Sequence, residues 1–117
     1  MDEDKKTIGI TRNNLSALQR LVSIGQFSSE LDAAKFAMAY AIKANTEAGR
    51  IDGADTKWNV GSVDPSGDLR ALLASFYPDV DTPFRLIEYL MNKGLSDLAG
   101  NETQTPDIYG IMFEKRE

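Results

Sequence analysis

The stretch Lys5–Lys43, KKTIGITRNNLSALQRLVSIGQFSSELDAAKFAMAYAIK, decides the fold of this chain. In its opening, Ile8 and Ile10 alternate with Thr7, Gly9 and Thr11, the two-residue period of a short strand. Gly9 weakens such a strand, so its surroundings must hold it. From Asn13 or Asn14, both good helix caps, Leu15, Leu18, Leu21 and Val22 recur at helical spacing, and Gly25 is placed to end the helix. Ser28 or Ser29 then opens a second helix, with Ser29 and Asp32 spaced as in a capping box. That helix runs to about Ala44. Its predicted inner stripe is Leu31, Lys35, Met38 and Ile42, with Phe36 and Tyr40 one position round, and its five alanines permit close approach of a neighbour.

Beyond residue 44 the signals are weaker. Residues 45–63 hold three glycines and few apolar positions, which predicts a long loop or hinge pinned in extended form by Trp58, Val60 and Val63. Asp64 as N-cap and Pro65 at the first helical position predict a helix burying Leu69, Leu72, Leu73 and Phe76. Thr82 and Pro83 repeat that grammar for a helix burying Phe84, Ile87, Leu90 and Met91, with Gly94 as its terminator and a short turn after it. Residues 64–99 thus form a helical extension, and 100–117 a tail that turns apolar at Ile108, Tyr109, Ile111, Met112 and Phe113. Residues 1–4 are expected to be disordered. The chain reads as one domain: a strand and two helices over 1–44, the loop, the extension and the tail.

With 117 residues and neither cysteine nor histidine, the chain has no disulfide, no thiolate metal site and none of the commonest general base. Asp52, Asp55, Asp64 and Asp68 lack the spacing of a calcium loop. No phosphate-cradling glycine motif and no carboxylate pair placed for acid–base work is present. A non-enzymatic protein without cofactor or metal is expected. No apolar run suits a membrane span or signal peptide, so a cytoplasmic protein is expected, with no membrane partner. The net charge of −5 is uneven: residues 5–50 carry a local +4 and residues 51–117 a local −6.

A strand of this length needs a ladder partner, and the sequence offers no evident one downstream. Strand, helix, Gly-containing turn and Ser-capped helix within about forty residues resemble the ribbon-helix-helix family, on TIGIT, NLSALQRLVSIG and GQFSSELDAAKFA. The resemblance implies a mainly α fold with one short N-terminal strand, a ribbon-helix-helix-like core plus two to three C-terminal helices, and a homodimer or higher homo-oligomer whose chains pair their strands. It also implies double-stranded DNA binding, as in a transcriptional regulator. Thr7, Gly9 and Thr11 would face the major groove, Ser28 and Ser29 would meet a phosphate, and Lys5, Lys6 and Arg12 would flank the backbone. Two departures count against the DNA chemistry: Gly9 has no side chain to read a base, and Glu30 and Asp32 would repel the phosphate. The alternative is an assembly or adaptor subunit of a multi-protein bacterial system, such as phage defence or DNA modification. It would bind a protein partner through its acidic half and the apolar tail Ile108–Phe113.

Overall fold

The computed structural model describes residues 4–104. Strand β1 (Thr7–Thr11) leads into helices α1 (Arg12–Gly25) and α2 (Glu30–Lys43). Strand β2 (Ala54–Asn59) is followed by the single turn α3 (Val60–Val63), then α4 (Asp68–Phe76) and the long α5 (Pro83–Gln104). The chain is mainly helical, and its N-terminal strand belongs to a small antiparallel sheet.

That strand finds its partner within the chain. β1 pairs antiparallel with β2, from Thr7 opposite Asn59 to Thr11 opposite Ala54. The segment expected to be loop therefore holds the second strand and a helical turn. Lys57 is skipped in the register between Ile8–Trp58 and Gly9–Thr56, a bulge that breaks alternation in ADTKWN and turns Lys57 to an ion pair with Glu30 at 2.7 Å. Gly9 sits at the bulge, where a Cβ would lie 2.5 Å from the carbonyl oxygen of Asp55.

The other edge of β1 is closed by side chains of α5. Glu88 Oε2 accepts the N–H of Gly9 at 2.8 Å, Asn92 Nδ2 donates to the carbonyl of Gly9 at 3.1 Å, and Asn92 Oδ1 accepts the N–H of Thr11 at 2.9 Å. Glu88 and Asn92 lie one turn apart on one helix face, so they meet alternate groups of an extended strand. Lys5 Nζ neutralises the buried Glu88 at 2.8 Å, and Asn14 Nδ2 donates to both oxygens of Asn92 at 3.1 Å. Asp4, expected to be disordered, instead caps α5 by accepting the N–H groups of Phe84 and Arg85, each at 2.9 Å.

The core lies between α2, α5 and the β1–α1 unit. Ile8 and Ile10, Leu18 and Leu21, and Ile87, Leu90, Met91, Leu95 and Leu98 are buried there. On α2 the buried face is Ala33, Ala34, Ala37, Met38 and Ala41, whereas Leu31, Phe36, Tyr40 and Ile42 are only partly buried. The alanines face inward because α5 crosses so close that a Cβ on Gly94 would lie 2.5 Å from the carbonyl carbon of Ala37. Gly94 therefore terminates nothing: α5 runs through it to Gln104, and the first residues of the expected tail are helical. The left-handed residue ending α1 is Gln26 (φ 59°) rather than Gly25.

Asp64 caps α4 from outside it, accepting the N–H groups of Leu69 (3.0 Å) and Arg70 (3.1 Å). The helix starts three residues later than Asp64 and Pro65 predicted. Burial disfavours the charge of Asp64, but those two N–H groups and the Arg70 guanidinium outweigh burial and hold its carboxyl below the usual aspartate range. A depressed folded-state value means this stabilisation is present above the unfolded pKa and lost as pH falls through the folded one, below about pH 4. Asp64→Ala, which removes both acceptors, should lower stability by about 1–2 kcal/mol at pH 7. Acid-dependent melting curves check this, because the gap between the parent and the variant should narrow as pH falls below the ordinary aspartate range.

Candidate partner-binding surface

The residues expected to contact DNA are scattered or occupied. Gly9 is buried, and Thr7 and Thr11 are half-buried, with Thr7 Oγ1 3.4 Å from Thr56 Oγ1. Both edges of β1 are occupied, one by β2 and the other by the polar side chains of α5. Lys5 is held by Glu88, while Lys6 and Arg12 remain exposed. At the start of α2, Ser29 Oγ accepts the Asp32 N–H at 3.1 Å, as the capping-box spacing predicted, and Ser28 Oγ donates to the Asp32 carboxylate. With Glu30 adjoining, an incoming phosphate would meet two carboxylates there. Arg12 lines a cleft of about 410 Å³ with Thr11, Asn13, Asn14, Ile51, Asp52, Gly53 and Ser96, away from Ser28 and Ser29 in the chain. The pairing expected from a second copy is made within the chain by β2. The tail positions Ile108, Tyr109, Ile111, Met112 and Phe113 lie outside the described residues.

The exposed apolar surface arises where sequence reasoning expected core. Of the α4 residues Leu69, Leu72, Leu73 and Phe76, only Leu73 is buried. α4 is a two-turn helix tethered at one end by Asp64 and Arg70, with Arg70 also over the Phe84 ring at 5.7 Å. It offers the core one flank through Leu73, with Leu69 half-buried beside it. Leu72 and Phe76, one turn apart, are the exposed large hydrophobics among the described residues, at 44% and 56%. Single exposed apolar residues are ordinary, but two on one helical stripe beside a groove are less so.

That groove has a volume of about 350 Å³ and is lined by Ile42, Asn45, Thr46, Glu47, Ala48, Phe76 and Tyr77. Its floor is held by Tyr77, whose hydroxyl donates to the Thr46 carbonyl at 2.6 Å. Burial and the neighbouring Tyr89 push the Tyr77 phenol up from its ordinary value. Asn45 holds a left-handed conformation (φ 62°) where the chain leaves α2 and forms the groove wall. On the far side of Tyr77, a smaller depression of about 60 Å³ is lined by Arg70, Leu73, Ala74, Val80, Pro83 and Leu86. Exposed carboxylates neighbour this face: Asp68 lies one turn before Leu72 on the same stripe, Asp79 three residues after Phe76, and Glu47 lines the groove, with the exposed Lys43 following Ile42 at the end of α2.

Among the described residues no cluster of potential metal ligands occurs, and no helix is long and apolar enough to cross a membrane. Comparisons with family models, with curated proteins and with solved structures found no match to this chain.

Proposed function

We propose that this chain is a non-enzymatic adaptor or assembly subunit that docks a protein partner on the outer face of α4. The supporting observation is the pair Leu72 and Phe76, exposed together beside the Ile42–Tyr77 groove. Burying such a pair at an interface yields hydrophobic stabilisation that their own fold leaves unused. The acidic half anticipated as a docking surface is where this patch lies. The strand-pairing argument for self-association falls away once β2 completes the ladder, and the DNA reading has no comparably placed set of residues behind it.

Placing a photo-crosslinking benzoyl-phenylalanine at position 76 in cells should yield a covalent adduct with a defined partner, and adding Leu72→Ser should remove it. The same probe at Gln19, exposed on α1, should give no such adduct. Equal adduct patterns at 76 and 19 would end this reading. The double change Leu72→Ser/Phe76→Ser should destabilise the isolated protein by no more than about 1 kcal/mol per site, because surface residues contribute little to folding.

A further inference from the structure

We infer that the occupant of the α4 face is a basic amphipathic segment, with apolar anchors seated on Leu72 and Phe76 and lysines or arginines meeting the carboxylates at either end. This rests on the adaptor reading and specifies its partner. Asp68, Leu72 and Phe76 follow one another at four-residue spacing, so a carboxylate continues the apolar ridge at its N-terminal end. Glu47 lines the groove beside Phe76, and Asp79 follows it in sequence. Arg70, two residues after Asp68, pairs with Asp64 at 3.4 Å. A second copy of the same face would bring carboxylate against carboxylate, which disfavours an isologous dimer through this ridge. Complementary charge around an apolar centre instead selects a cationic partner and speeds its encounter.

Three twelve-residue peptides test this on the full chain by fluorescence anisotropy. One carries Leu and Phe at positions i, i+3 and i+7 among Lys and Arg; one keeps the apolar residues but has Glu for every base; one keeps the bases but has Ser for every apolar residue. The first should bind at least tenfold more tightly than either of the others. Phe76→Ser should weaken it at least tenfold, and so should the pair Asp68→Lys/Asp79→Lys. Asp97→Lys, on α5, should leave it unchanged, and raising salt from 50 to 500 mM should remove most of the charge-dependent part. Equal binding of the acidic peptide, or indifference to the Asp68/Asp79 reversal, overturns the inference. So does concentration-dependent dimerisation abolished by Phe76→Ser, since the occupant is then a second copy. A partner crosslinked at position 76 that lacks a basic segment defeats the cationic chemistry while sparing the adaptor role; no adduct there defeats the adaptor role itself.

Discussion

Gly94→Ala should destabilise the protein by about 3 kcal/mol or more, lowering its melting temperature by about 10 °C or more. The sign is the reverse of the usual one. In a helix interior alanine is favoured over glycine by about 1 kcal/mol, and replacing glycine also reduces the entropy of the unfolded chain. Here the added methyl would fall on the Ala37 backbone, 2.5 Å from its carbonyl carbon and 3.1 Å from its Cα. A flexible side chain could swing aside, but a carbonyl in the middle of α2 cannot move without α2 or α5 moving with it. Separating the two helices would open a gap along Ala33, Ala34, Ala37 and Ala41, residues too short to refill it. Thermal or urea denaturation measures the effect directly. A Gly94→Ala protein as stable as the parent would mean that α2 and α5 do not cross this closely.

Glu88→Ala should be the second large loss, about 2–4 kcal/mol. It removes the acceptor for the Gly9 N–H and leaves the Lys5 ammonium unneutralised in a partly buried site. Deleting one member of a buried ion pair is typically worth 3–5 kcal/mol, but Lys5 is 26% exposed and can turn toward water, which moderates the value. Glu88→Gln separates the two contributions. It retains an oxygen for Gly9 but loses the ion pair, so its stability should fall between the parent and Glu88→Ala. Lys5→Met tested in the Glu88→Gln background should add little further destabilisation. If Glu88→Ala unfolds at the parent's denaturant midpoint, the strand edge does not depend on Glu88.

These two sites also mark where sequence reading succeeded and where it stopped. The strand at 7–11, the capping of α2 by Ser29 and the apolar stripe of α5 were legible because each follows from neighbours within one or two turns. Residues 54–59 were not, because ADTKWN carries one strongly apolar side chain and a bulge that breaks the alternation by which strands are recognised. Gly94 was misread because a glycine that permits a close helix crossing looks, from sequence alone, like one that ends a helix. Glu88 and Asn92 gave no signal, since their partners are backbone groups about eighty residues away. The α4 face was predicted as core from its amphipathic spacing. Spacing shows which residues share a stripe but not whether a neighbour covers it, and α4 meets the rest of the fold mainly through Leu73.

The closure of β1 by α5 also sets an order of events during synthesis. Asp4, Lys5, Gly9 and Thr11 leave the ribosome well before the groups that satisfy them, which belong to residues 84–92. Until that later segment emerges, β1 keeps an open edge, and its pairing with β2 is only half an enclosure. Contacts so distant along the chain slow folding, because a long loop must close before any of them is gained. The nascent chain therefore waits on its last described helix to secure its first strand.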